Sequence, residues 1–142
     1  MSDGNDYEIQ FENGNYVVRD KLGEYDVPLD KRIFNFVIRV IKHLKNHPSS
    51  TINNVIIFQL TKSSSSIGAN YEEAQGASSK SDFIAKVAIS HREAKESNYW
   101  LRLIKGSEID NSDELTYLIQ ESLEIRNILG SIVGKARRNR EK

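Results

Sequence analysis

The stretch that decides the fold is "TKSSSSIGANYEEAQGASSKSDF", Thr61 to Phe83. Four consecutive serines, Gly68, Gly76 and Asn70 have the composition of a loop, and one reading of such a loop is a phosphate cradle. The stretch nevertheless follows "NNVIIFQL" without a proline, and Ile67 and Tyr71 stand four residues apart. Traced backwards and forwards, Val55, Ile56, Gln59 or Leu60, Ser63, Ile67, Asn70 or Tyr71, and Ala74 keep the 3.6-residue rhythm of one helix face. A phosphate loop needs backbone amides at a helix N-terminus, whereas these serines lie deep inside the apolar rhythm. The stretch is therefore expected to be helix, ending near Gly76. Gly68 in mid-helix costs about 1 kcal/mol relative to alanine. Ser65, Ser66, Gly68 and Ala69 form a slim flank beside a Leu60–Ile67–Tyr71 ridge, so a second helix can approach closely and the packing offsets that cost.

The same rhythm recurs on either side. In "DKRIFNFVIRVIKHLKNHP", Phe34, Val37, Ile38, Ile41 and Leu44 or Lys45 predict a first helix with one buried face, capped by Asp30 and stopped by Pro48. The second helix starts at Ser50 or Thr51. A third is opened by Ser79 or Ser81, with Asp82 placed well for the helix dipole. It continues through Phe83, Ile84, Val87, Ala88, His91, Ala94 or Lys95, Asn98, Leu101 and Lys105, and stops at Gly106. Tyr99 and Trp100 read as aromatics closing the bundle, with stacking on bases the alternative. A fourth helix starts after Ser112 and carries Leu115, Leu118, Ile119, Ser122, Ile125, Leu129, Ile132, Val133 and Ala136. Four amphipathic helices with short connections predict an all-α, antiparallel up-down four-helix bundle.

Ahead of the helices, Ile9 and Phe11 alternate with polar residues, Asn13-Gly14 suits a type I′ turn, and Tyr16 and Val18 resume the alternation. This predicts a β-hairpin at 7–19 within an acidic arm of residues 1–26; the alternative is an unstructured arm. The bundle is placed at 27–137 and a basic tail at 138–142.

At 142 residues, the chain is one domain's worth and long enough for a core without staples. Apolar residues make up 38% and charged residues 28%, which suits a globular protein with a polar surface. There is no cysteine, which excludes disulfides, thiolate metal sites and a cysteine nucleophile. The start "MSDGNDYEIQ" lacks the features of a secretory signal, no apolar run approaches a membrane span, and the expected location is cytoplasmic. The formal net charge of +0 conceals an asymmetry. Residues 1–30 hold two basic groups against eight acids, and residues 31–142 hold eighteen against twelve. "KARRNREK", from Lys135, holds five bases and one acid. An acidic arm in front of a basic body points to contact with a polyanion or to masking of one part by the other.

The segment "SSSSIGANYEEAQGASSKSDFIAKVAISHREAKESNYWLRLI", together with "YDVPLDKRIFNFVIRVIKHLK", resembles the four-helix-bundle family of intervening-sequence proteins. Its members are encoded inside insertions in bacterial large-subunit ribosomal RNA genes, and are sometimes labelled ribosomal proteins. The resemblance spans about residues 25–137. Tyr71 stands where an aliphatic residue is more usual, and the arm 1–24 is an addition. What the resemblance implies is an up-down bundle assembling as a ring-like homopentamer. The accessory variability determinant of diversity-generating retroelements is similar, and binds nucleic acid and a reverse transcriptase. By that analogy, a nucleic-acid-binding or scaffold subunit is expected here.

No reaction announces itself. A di-iron bundle site needs Glu-x-x-His pairs, and Val40, Leu44 and Ala88 stand three residues before the histidines His43, His47 and His91. His43 and His47, four apart, have a spacing that suits zinc; with no cysteine and no acidic cluster nearby they are expected to face solvent, and no metal or cofactor is expected. "GSIVGKARR" imitates a Walker loop, but it is one residue short between Gly130 and Gly134-Lys135 and lies within the fourth helix's rhythm. Ser66, Asn70, Glu73, Arg92 and Arg102 are candidates for a buried polar network or interface, with the arginines meeting Glu72 or Glu73 across the bundle. Glu93 gives no acid–base pair, since no nucleophile or cleft accompanies it. The nucleic-acid candidates are Lys135, Arg137, Arg138, Arg140 and Lys142. In a fivefold ring the tail's excess becomes about +20 on one rim, enough for counterion-release binding to RNA or DNA. The acidic arm lying against that rim would weaken binding, so trimming residues 1–26 is expected to tighten it. The competing expectation is a protein-interaction scaffold that packs on sister subunits or a partner through the slim Ser/Gly-rich face.

Overall fold

The Ser50 hydroxyl accepts a hydrogen bond from the Asn53 amide (3.0 Å), satisfying one of the orphan donors at a helix start. From there a single uninterrupted helix runs through all four serines to Ala74. Ser79 does the same for Asp82 (3.1 Å), and Ser112 for Leu115 (3.2 Å). The computed structural model describes residues 7–20 and 27–140, with side chains as far as Arg138. Its elements are β1 (Tyr7–Glu12), β2 (Asn15–Asp20), α1 (Leu29–Leu44), α2 (Thr51–Ala74), α3 (Lys80–Gly106) and α4 (Asp113–Arg140). α2 packs along α3 and α3 along α4, while α1 lies against α2 and α4. The result is the expected up-down four-helix bundle, with a hairpin in front.

The serines show how the bundle closes. Ser63, Ser64, Ser90 and Ser97 are fully buried. The Ser97 hydroxyl donates to Ser63 Oγ (2.9 Å), Ser63 donates to the Leu60 carbonyl (3.3 Å), and Ser90 donates to the Ile67 carbonyl (2.8 Å) across the α2–α3 interface. A buried hydroxyl without a partner costs roughly 1–3 kcal/mol, so these pairings are what make polar small residues tolerable there. Ser63 faces the core as its place in the apolar rhythm predicts, and Ser64 joins it. Of the expected slim flank, Gly68 lies against Ile33 of α1, whereas Ala69 is exposed, as is Ser65, which donates to its own helix (Thr61 O, 2.6 Å). Leu60, Ile67, Tyr71 and Ala74 are buried as expected, but Val55 is exposed.

The first helix is the main correction. Its buried residues are Leu29, Ile33, Phe36, Val40 and Leu44, while the expected core residues Phe34 and Ile41 are exposed at 59% and 38%. The physical reason is that α1 carries two apolar stripes, 29/33/36/40/44 and 34/37/38/41, and periodicity alone cannot say which one meets the rest of the chain. Asp30 does not cap it either. Pro28 occupies that position, and Asp20 at the end of β2 accepts from the Leu29 amide instead (3.0 Å). Arg32 reaches across to α4 and forms a two-pronged bond to Glu121 (2.7 and 2.8 Å), with Glu124 at 3.3 Å.

The hairpin pairs Ile9 with Val18 and Phe11 with Tyr16, around Asn13 and Gly14, both at positive φ as a type I′ turn requires. A lone hairpin is marginal in water, and this one is tied down. Tyr16 exchanges backbone hydrogen bonds with Gly76 and Ala77 (2.9 and 2.8 Å), and Val18 N–H donates to Gln75 Oε1 (2.8 Å). Tyr7 and Val18 are buried in the common core. Deleting the arm therefore removes core residues, so a trimmed chain is a poor test of masking.

Candidate functional site

Three regions carry functional-looking residues. The first is the end of α4. Arg137 and Arg138 are exposed, whereas Lys135 is half-buried and its ammonium donates to the Tyr7 carbonyl (2.8 Å), holding β1 to the bundle. The side chain of Arg140 and all of Lys142 lie outside the described residues. The basic surface also extends where the sequence did not suggest. The His91 ring is held below its ordinary pKa, first by burial and then by the nearby cations Lys95, Arg126 and Arg137. Positive charge thus runs along the α3–α4 side as well as at the helix end. The Walker-like residues lie within α4, with Gly130 so near the His91 ring that an added Cβ would stand 3.0 Å from Nε2.

The second is the polar network, and its membership needs correcting. Asn70 donates to the Ser66 carbonyl of its own helix (2.9 Å), Glu73 pairs with Lys86 (3.0 Å), and Arg102 donates to Asn98 Oδ1 (2.9 Å) on its own helix. Arg92 is exposed. Neither arginine meets Glu72 or Glu73, because Glu73 faces the start of α3 rather than its middle. The buried network is instead Ser63–Ser97 together with Asn98, whose amide donates to Ser122 Oγ (2.9 Å) and the Ile119 carbonyl (3.2 Å). Asn98 and Ser122 both stand in the apolar rhythm of their helices, and a polar residue in such a place was the available signal.

The third lies at the end of the bundle where α1 meets the α3–α4 connection. The side chains of His43 and His47 are only 16% and 10% exposed, so the expected solvent-facing pair is overturned. Both Nε2 atoms face Asp110 Oδ2, His43 in direct contact and His47 at 3.3 Å. Asp110 is far away in sequence, which is why spacing alone missed it. Burial raises the Asp110 pKa, but hydrogen bonds from Ser112 and His43 outweigh this and bring it to about 2. A depressed carboxylate contributes stability that is complete above its unfolded value, near pH 4, and is lost as pH falls towards 2. Acid titration followed by circular dichroism should show a loss of stability in that window that Asp110→Asn lacks.

The model of the 23S rRNA-intervening sequence proteins matches residues 26–131, from just before α1 well into α4. The chain belongs to that family. A solved structure of a protein of unknown function from the S23 ribosomal protein family of Bacteroides thetaiotaomicron VPI-5482 is 30% identical to this intervening-sequence protein. It superposes with a TM-score of 0.67, covering 75% of this chain and 98% of that one. The hairpin, docked through Tyr16, Val18 and Lys135, precedes the segment the family model matches. No curated protein matches the chain. Among the described residues, no helix of this intervening-sequence protein is long and apolar enough to cross a membrane.

Proposed function

We propose that this chain is a non-enzymatic subunit that self-assembles through the outer face of α1 and α2. The observation that carries the reading is the second apolar stripe. Phe34 and Ile41 on α1, and Ile52, Val55 and Phe58 on α2, are 38–69% exposed, with Val37 and Ile38 half-buried beside them. Single exposed apolar residues are ordinary, but a continuous set at helical spacing marks a surface that another molecule covers. α1 and α2 run antiparallel, with Ile33 against Gly68, which brings Ile41 to the level of Leu60, within a turn of Phe58. A shallow apolar groove lined by Phe34, Val37, Gly68 and Ala69 continues the face. We take a second copy as the occupant: in a head-to-tail ring this face meets a different patch of the next subunit, and in a two-fold dimer it meets itself. The test is the mass of the native protein in solution, by light scattering across a concentration series.

A second reading, electrostatic binding of structured RNA or DNA, is favoured by the cations of the α3–α4 side. Lys95, Arg126 and Arg137 crowd one histidine, and Arg138 follows on the next position of α4. Assembly would multiply this charge. In a fluorescence-anisotropy titration, the affinity for structured RNA should fall steeply with salt, and Arg137→Ala with Arg138→Ala should lower the slope of log K against log salt by about 2 per bound chain. Absence of binding at low salt would leave these arginines as a solvated helix end.

A further inference from the structure

We propose that His43, His47 and Asp110 form a binding site for a divalent transition-metal ion of the zinc class, a ligand separate from the assembly face and the basic surface. Their donor atoms all lie within 4.8 Å of one another. Two imidazoles and a carboxylate are a common donor set for such an ion, with a fourth position left for water.

Hydrogen bonds orient His47 and Asp110 for this role. His47 Nδ1 lies 3.1 Å from the His43 carbonyl. A carbonyl only accepts, so Nδ1 carries a proton and the neutral ring presents its lone pair at Nε2. That lone pair faces Asp110 Oδ2 at 3.3 Å. Two acceptors aimed at one another need a cation between them, either a proton or a metal. Asp110 is turned the same way, because its other oxygen, Oδ1, accepts from the Ser112 amide (2.8 Å), leaving Oδ2 for the histidines. Fixing one atom of a ligand so that the other points into the site, as His47 and Asp110 show, is the usual arrangement around bound metals.

The surroundings suit a bound ion as well. Ile56, Ile57, Ile104 and Ile109 gather beside His47 and keep water from one side. Arg39, one turn before His43, is engaged by Glu114 through two bonds (2.6 and 2.9 Å), so its charge is already paired. Four-coordinate zinc places its ligands about 3.4 Å apart, given bonds of about 2.1 Å. Binding would therefore require side-chain rotations that separate Asp110 from His43 and bring the three donor atoms to that spacing. The bound ion would join the end of α1 to the α3–α4 connection.

The experiment uses the full-length chain without an affinity tag, stripped with a chelator and titrated with Co2+ and then Zn2+. The expected result is one ion per chain, the visible bands of four-coordinate cobalt, their loss on adding Zn2+, and a Zn2+-dependent rise in Tm. Asp110→Asn and His47→Gln should each abolish stoichiometric binding and the rise in Tm, while His91→Gln should keep both. Circular dichroism establishes that each variant is folded; Asp110→Asn is nearly isosteric, and His43→Gln replaces either variant if it fails to fold. No saturable binding by the wild-type chain, or binding that survives in folded Asp110→Asn and His47→Gln, would overturn the proposal.

Discussion

Tyr71→Ala should lower the unfolding free energy by about 4 kcal/mol, since removing a fully buried aromatic side chain loses its transfer energy and leaves a cavity. Tyr71 is 1% exposed and heads the set of largest fully buried side chains. Burial first, and then the proximity of Asp20, Asp30 and Tyr7, pushes its phenol above the ordinary range. It therefore stays neutral at any physiological pH. Its hydroxyl lies 3.5 Å from Gln75 Nε2, and Gln75 in turn accepts from the Val18 amide. The residue thus supports both the bundle and the docking of the hairpin. Against a total stability of about 5–15 kcal/mol, the loss is large, and Tm should drop by about 12 °C. Tyr71→Phe should cost less than about 1.5 kcal/mol, because only a long hydrogen bond is lost. Tyr99→Ala, at a position 48% exposed, should stay within about 0.5 kcal/mol. Were Thr61–Phe83 a loop, Tyr71→Ala would resemble Tyr99→Ala, so urea unfolding of the three variants tests how that stretch is read.

Phe58→Asp should weaken self-association by about a hundredfold without harming the fold. Phe58 is 63% exposed in the single chain, so a charge there meets only water when the chain is alone. In the proposed assembly the same position is covered. Losing one buried phenylalanine is worth about 1.5–3 kcal/mol per contact, and an unpaired buried carboxylate adds to that. Each 1.4 kcal/mol is a factor of ten in the association constant. Sedimentation velocity would show the variant dissociating at concentrations where the wild-type chain remains assembled. Helicity and Tm of the dilute variant should match those of dilute wild type. A variant that associates as tightly as wild type would exclude the α2 part of the face.

Much of this was legible in the sequence because most buried positions of α2, α3 and α4 keep helical spacing. Leu60, Ile67, Tyr71, Phe83, Val87, Leu101, Leu118, Ile125 and Leu129 stand at helical spacing and are all buried. Ser50, Ser79 and Ser112 cap where local chemistry places them. Asn13-Gly14 makes the turn that its freedom at positive φ suggests. α1 misled because its apolar side is broad enough for two adjacent stripes, and its spacing does not say which one its own chain will cover. The surplus stripe, Phe34 and Ile41, is the same feature on which the proposed assembly rests. The pairings within the polar network and the His43–His47–Asp110 cluster were illegible for another reason. Each depends on residues brought together from distant positions, as with Ser63 and Ser97, or Asp110 and the α1 histidines. Periodicity reports which side of a helix is buried, but not which residues of two helices stand level.

The most direct measurement is the molar mass of the wild-type chain by multi-angle light scattering, from low micromolar to about 100 µM. A closed assembly with a mass several times that of one chain, unchanged by high salt and lost in Phe58→Asp, is the predicted result. High salt screens charge contacts but strengthens apolar burial, so persistence in salt separates the α1–α2 face from the basic surface. A mass equal to one chain across the whole range would contradict the account, and would leave the exposed stripe of α1 and α2 to a partner of different kind.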